Sequence, residues 1–253
     1  MFARTACPRS QAHLDVDYSH QQECTAEKKL VMEQIGCNSG SAASVVCNIL
    51  QSIDTHDVNC EFASNVLGVV AILGTVQTNN LSRILAKYLG EDQMLAIVCK
   101  STKYASDLVK HGPNGQINSD VGLHALATKL GLPINKQYVV ISLENTRAYA
   151  GEISNNHLRK LALPDPILAN GSPPPGYLGY AVNMIELDSS FWHWKTPSGH
   201  SLRETLFYHL FGDLQVYENR EAMNRATYCI MHAGAVSLDG GAMKHGVVTI
   251  GNW

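Results

Sequence analysis

Four short blocks of this chain recur in the same order in its two halves, and a chain that repeats itself this way folds as two related units. The first block pairs Val66-Leu67-Gly68-Val69-Val70 with Tyr177-Leu178-Gly179-Tyr180-Ala181. Each opens an apolar run, through Val76 in one case and Leu187 in the other, that predicts a buried strand. The second block is a helix ended by glycine. Leu81, Ile84, Leu85, Tyr88 and Leu89 fall on one helical face, with Asn79 or Asn80 as cap and Gly90 as stop. Its counterpart opens on the capping box Ser201-Leu202-Arg203-Glu204 and carries Leu206, Leu210 and Phe211 before Gly212. The third block pairs the strand-like Leu95-Ala96-Ile97-Val98 with Leu214-Gln215-Val216-Tyr217, each followed by a short helical segment, around Tyr104 to Lys110 and around Glu221 to Thr227. The fourth pairs Val140-Ile141-Ser142-Leu143-Glu144 with Ala235-Val236-Ser237-Leu238-Asp239.

The spacing between matched blocks drifts, so each copy accommodates loops of its own length: extra residues stand around Gly112 to Gly131 in the first and around Ser189 to Gly199 in the second. The expected organisation is an N-terminal extension over 1–60, a first half over 61–150, a connector over 151–176 and a second half over 177–251. The connector is longer than the roughly 12 to 15 residues usual for a loop inside a domain, and it ends in Ser172-Pro173-Pro174-Pro175-Gly176, an extended and stiff run. In the extension, Ala26 to Ile35 reads as helical, and Val45, Val46, Ile49, Leu50 and Ile53 mark a second amphipathic helix. Neither sustains the heptads of a coiled coil.

Composition narrows the class. Of 253 residues, 45% are hydrophobic, enough for a globular core and too many for a disordered chain. No apolar stretch reaches the roughly 20 residues that span a bilayer, and Met1 to Ser10 lacks the layout of a signal peptide, so a soluble intracellular protein without membrane attachment is expected. The seven cysteines are an odd number with no C-x-x-C pair, which points to reduced thiols rather than a disulfide framework or zinc ribbon. The net charge of −3 is not that of a phosphate-binding domain. Lys100, Lys103, Lys110 and His111 form a local basic cluster, and Phe191, Trp192, His193 and Trp194 an aromatic one. Lys100, Lys103, Lys110, Trp192 and Trp194 are therefore the candidate nucleic-acid contacts, against the plainer readings of a solvated helix face and of packing over the core edge.

A catalytic reading finds no support. The eleven histidines form neither H-x-x-x-H nor H-E-x-x-H, and the phosphate loop, the nucleophile elbow and the dinucleotide fingerprint are absent. No catalytic residue, metal ligand or cofactor is expected. Asp239-Gly240-Gly241 is a turn signal, predicting a hairpin of Ala235 to Leu238 with Val247 to Ile250.

Two halves of strand, helix, strand and helix, closing on Val236-Ser237-Leu238-Asp239-Gly240-Gly241 and Val247-Val248-Thr249-Ile250-Gly251, resemble the hinge domain of structural maintenance of chromosomes (SMC) proteins. The resemblance covers residues 61–251. The strings Gly176 to Ile185, Leu202 to Tyr208 and Asn80 to Leu85 look most like a plant hinge-only branch of the family, typified by the protein called defective in meristem silencing. Where hinges close on a glycine pair, this chain has Gly251-Asn252. The resemblance implies an α/β (α+β) hinge of two pseudo-repeated halves behind a short helical extension, the remnant of a coiled-coil arm. It also implies a nuclear, non-catalytic scaffold that dimerises and acts in RNA-directed DNA methylation with a chromatin remodeller and a small companion protein. Glycines at strand ends let backbones approach closely, so Gly68, Gly179, Gly240 and Gly251 are the candidate dimer interface. The alternative is a hinge module that binds DNA or RNA directly, in chromosome organisation or repair.

Overall fold

The computed structural model describes residues 26–52, 60–110, 120–154, 159–230, 234–244 and 247–250. Two helices lead in, α1 over residues 26–36 and α2 (Ala42–Gln51), the latter capped by Ser41, whose hydroxyl accepts from Ser44 N. The short α3 (Cys60–Asn65) then delivers the chain into β1 (Val66–Val69), which continues through a 3-10 turn to β2 (Gly74–Thr75). Helix α4 (Asn79–Leu89), the short α5 (Glu91–Met94), β3 (Ile97–Cys99), α6 (Thr102–Leu108), α7 (Gly122–Lys129) and β4 (Val140–Ser142) complete the first half. The second half runs β5 (Tyr177–Tyr180), α8 (Ala181–Met184), β6 (Glu186–Leu187), a π-helical turn (Arg203–Phe207) continuing into α9 (Tyr208–Phe211), and β7 (Gln215–Tyr217). It closes with α10 (Arg220–Arg225), β8 (Ala235–Ser237), β9 (Gly241–Lys244) and β10 (Val247–Ile250).

The repeat is visible in the strand pairing. β1 lies antiparallel to β3 and β3 parallel to β4; β5 lies antiparallel to β7 and β7 parallel to β8. Each first strand carries a bulge at the matched place, between Val66 and Gly68 and between Tyr177 and Gly179. There Gly68 has φ +136° and Gly179 φ +135°, a backbone conformation that side chains with a Cβ rarely adopt. The halves meet in a two-stranded ribbon, β2 with β6, in which Thr75 faces Glu186. Those two residues are themselves matched when Gly68 is laid on Gly179, so the ribbon straddles the axis relating the copies.

Side chains alternate along the central strands and divide the interior accordingly. Val98, Val216 and Val236 point into one apolar layer shared by both halves, where Leu81, Ile84 and Leu85 of α4 meet Leu206, Phe207 and Phe211. Ile97 and Cys99 point the other way, into a core closed by Val45, Val46, Ile49 and Leu123 from α2 and α7; Tyr217 and Ala235 point outward to Ala222 and Met223 of α10. The helices cross over: α4 of the first half packs on β8 of the second, Tyr88 stacks on Phe211 at 6.5 Å, and Lys244 Nζ lies 5.0 Å from the centre of the Tyr88 ring.

Several details depart from the sequence reading. The predicted single strands through Val76 and Leu187 break after the bulge, because Val70 and Ala181 begin tight turns that aim the next helix into the shared layer. The cap of α4 is Thr78, whose Oγ1 accepts from Leu81 N, rather than Asn79 or Asn80. The capping box at Ser201 forms, with Ser201 N donating to Glu204 Oε2 at 2.9 Å, but the helix after it opens as a π turn. Glu204 O there accepts Tyr149 N at 2.8 Å. The buried Arg203 donates to Val182 O at 2.5 Å and Ile185 O at 2.7 Å, satisfying carbonyls left at the end of α8, and burial lowers its guanidinium to about 10. The C-terminal hairpin is a meander instead: β8 pairs with β9, and β10 pairs with β9, not β8. The connector packs, with Leu161 buried and its backbone bracketed by the Asn183 amide at 2.8 and 2.9 Å.

The two bulges make unequal demands. A Cβ at Gly68 would sit 2.9 Å from Ile72 Cδ1, one at Gly179 3.2 Å from Met184 Cε. Both carry the strain of positive φ, about 1–3 kcal/mol. Gly68→Ala is expected to lower stability by that amount or slightly more, and Gly179→Ala by the lower part of the range, as read from urea unfolding midpoints at unchanged m.

Candidate pairing surface

The copies diverge immediately after their fourth strand. Both begin the same turn: Leu143 N donates to Cys99 O at 2.9 Å and Asn145 N to Ser142 O at 3.1 Å, while Leu238 N donates to Tyr217 O at 3.0 Å and Gly240 N to Ser237 O at 2.9 Å. Gly240 then takes φ +94°, and the chain reverses into β9. Its counterpart is Asn145, which has no such conformation, so the first copy moves on to Tyr149 and the connector. The second sheet consequently has the order β10-β9-β8-β7-β5, whereas the first ends at β4.

Among the described residues β4 is hydrogen-bonded to a strand on one side only. Beside it lies a groove of about 490 Å³ lined by Val139, Val140, Ile141 and Ser142, by Thr102, Ala105 and Ser106 of α6, and by Val109 just after that helix. The helix is fixed to the strand: Thr102 Oγ1 and Ser142 Oγ are 2.9 Å apart, and Thr102 N donates to Glu144 Oε2 at 2.7 Å. Unpaired N–H and C=O groups on such an edge are a template for another strand. At the far end of the other sheet, β10 forms the second edge, in register with β9 from Val247 opposite Lys244 to Ile250 opposite Gly241. Among the described residues the first half therefore has an open edge beside a groove, and the second half ends on an edge strand.

Of the predicted interface glycines, Gly68 and Gly179 lie in the bulges, Gly68 buried and Gly179 half-buried, and Gly240 is buried in the β8–β9 turn. Gly251 lies outside the described residues, as does His111. Lys100 is half-buried beside β3, with its N–H on Asn65 O at 2.9 Å; Lys103 and Lys110 are exposed on and just after α6. Lys110 is paired with Asp107 at 2.6 Å, and that bond holds the Asp107 carboxyl below the usual range. Trp192 is 56% exposed and Trp194 half-buried, in the second-half insert. No hydrogen bond, ion pair or ring contact joins the lysines to the tryptophans among the described residues. None of the described His, Cys, Asp and Glu residues gathers in threes as metal ligands would, and no described helix is long and apolar enough to cross a membrane. The groove residues on β4 and α6 were not singled out by sequence reasoning. The signal was there, in Asn145 standing where the other copy has Gly240.

This geometry defines a two-half α/β module in which, among the described residues, each half ends on an open strand edge. The resemblance to SMC hinges read from the sequence is borne out by a relative in Arabidopsis thaliana, the structural maintenance of chromosomes flexible hinge domain-containing protein GMI1, 39% identical over 240 residues. The match takes in 94% of this chain, which spans 14% of that relative's length. No model of a known protein family matches the chain. Among solved structures, an asymmetric dimer of the Geobacillus stearothermophilus SMC hinge domain is similar at TM-score 0.49 and 17% identity, over 93% of this chain and 73% of that one. The Pyrococcus furiosus SMC hinge domain is similar at 0.44 and 13%, over 89% and 88%.

Burial also governs the thiols. Cys47 and Cys99, both buried, are pushed up to about 12 by desolvation, whereas Cys37 is exposed. At pH 8 only about one in ten thousand of the two buried groups is thiolate, so mass mapping after brief alkylation should find Cys37 modified and Cys47 and Cys99 untouched until urea unfolds the chain. The same groups ionise near 9.0 once unfolded, so the folded state holds more protons from about pH 9 to 12 and stability falls as pH rises through that window.

Proposed function

We propose that this chain is a non-catalytic pairing module of a nuclear chromatin complex, in which β10 of one copy lies along the β4 edge of another. One observation carries the reading: among the described residues the fourth strand is covered by β9 in the second half and by no strand in the first, where a groove lined by β4 and α6 lies beside it. Two such contacts related by a two-fold axis close the dimer and leave neither edge exposed. Gly68, Gly179 and Gly240 serve it indirectly by setting the course of their strands, and Gly251 follows β10 in the sequence.

A nuclear setting and work on chromosomes are supported by the likeness to an SMC hinge domain-containing relative. The finer role, gene silencing through RNA-directed DNA methylation with a chromatin remodeller and a small companion protein, is supported by the strings at Gly176 to Ile185, Leu202 to Tyr208 and Asn80 to Leu85. Direct DNA or RNA binding through Lys100, Lys103, Lys110, Trp192 and Trp194 is the competing reading. It is favoured by the exposure of Trp192 and opposed by the Lys110–Asp107 pair and the net charge of −3.

Gly240 is a poor place to test pairing, because positive φ makes any substitution there strain the fold. Ser106 and Asn145 line the groove and are both exposed, so Ser106→Arg and Asn145→Arg block it without touching the core. Sedimentation equilibrium should show the wild-type chain as a dimer whose association changes little with salt, and each variant associating at least about tenfold more weakly with an unchanged unfolding midpoint. Unaltered association in both variants refutes this placement. Affinity for a single-stranded oligonucleotide that falls steeply with salt selects the competing reading. Affinity capture from plant nuclei that recovers neither a remodeller nor a small companion removes the silencing role and leaves pairing intact.

A further inference from the structure

Lys28 and Asp188 stand 160 residues apart in the chain, yet Lys28 Nζ donates to Asp188 Oδ2 at 2.8 Å. The pair is largely shielded, with the side chains 26% and 21% exposed. The same ammonium lies 5.5 Å from the centre of the Phe191 ring. Asp188 uses its other oxygen to order its own loop, Oδ1 accepting from Ser190 N at 2.9 Å and Ser190 Oγ at 2.6 Å. One turn on, Trp192 Nε1 donates to Leu187 O at 2.9 Å, which leaves the indole outside while fixing its direction. A single cation on α1 therefore touches both residues that shape the start of the second-half insert.

The rest of the insert orders itself. Thr196 N donates to His200 O at 2.8 Å, Gly199 N to Thr196 O at 2.8 Å, and His200 N to Thr196 Oγ1 at 3.1 Å, with Thr196 Oγ1 and Ser198 Oγ 2.8 Å apart. No partner outside the turn is involved in these contacts. The insert thus divides into a segment over 188–194 that leans on α1 and a turn over 196–200 that does not.

We propose that Lys28, Asp188 and Phe191 form a latch that orders α1 and the Trp192 loop together. Drawing α1 away from the body removes the cation, and the loop loses the contacts that hold Trp192 in its exposed setting. A binding event on the N-terminal helix is thereby transmitted to a surface of the opposite half, independently of how two copies pair. The shielding of the ion pair and the cation–π contact give the latch more strength than an exposed pair would have, and 1 M salt weakens it.

Hydrogen exchange on the full chain tests this. Lys28→Met keeps much of the aliphatic stem and removes the charge. It is expected to speed amide exchange about five- to tenfold in both 26–36 and 188–194, and to leave 196–200, β7 and β8 at wild-type rates. Lys28→Arg should restore protection, and Phe191→Leu should give a smaller effect on the same two segments. Unchanged exchange in 188–194 with Lys28→Met overturns the proposal. So does an equal rise across β7 and β8, which would report general loosening of the fold.

Discussion

The shared apolar layer is the contact on which the rest of this protein depends. Leu81, Ile84 and Leu85 from one copy and Leu206, Phe207 and Phe211 from the other bury one another between the inner faces of two small sheets. Each such side chain contributes about 1.5–3 kcal/mol when removed from water. The first sheet has a second core against α2 and α7, but it shares this layer with the second sheet, whose outer core rests on α10 and a handful of residues. The halves are therefore one folding unit with two sheets, and the β2–β6 ribbon with its Thr75–Glu186 pair marks the seam.

Once the layer is set, the bulges acquire their purpose. A strand that ran straight from Val66 to Val76 would pass over the shared layer without closing it. The bulge at Gly68, and its twin at Gly179, ends the pairing early enough for a tight turn to send α4 across to β8 of the opposite sheet and the π-turn helix into the shared layer. Arg203 then holds the second crossing from beneath by taking up two carbonyls at the end of α8. These are internal duties of glycines that the sequence by itself offers as candidate points of contact with another chain.

The asymmetry between the copies is the basis of the proposed pairing. Two identical halves would cover or expose both fourth strands alike. Here the Gly240 turn gives the second sheet two additional strands, while Asn145 sends the first copy's chain away and leaves the α6–β4 groove uncovered. In the proposed pairing, the edge strand on one half and the open edge on the other are the two surfaces that a two-fold axis joins.

Much of the fold was legible in residue order, because a repeat of strand, glycine-ended helix and strand has to bury matching faces: the helix at Leu81 to Leu89, the capping box at Ser201 and the paired blocks at Val140 and Ala235 stand where their patterns put them. What the sequence by itself determined is this local alphabet, since capping, periodicity and glycine stops act over a few residues and are written within them. Only the tertiary structure decided the break after Gly68 and Gly179, the β8–β9–β10 meander, the packing of the connector around Leu161 and the bare edge of β4. Each of those turns on which distant segment arrives to satisfy an unpaired backbone or apolar face, and that is settled by competition among parts of the chain far apart in sequence.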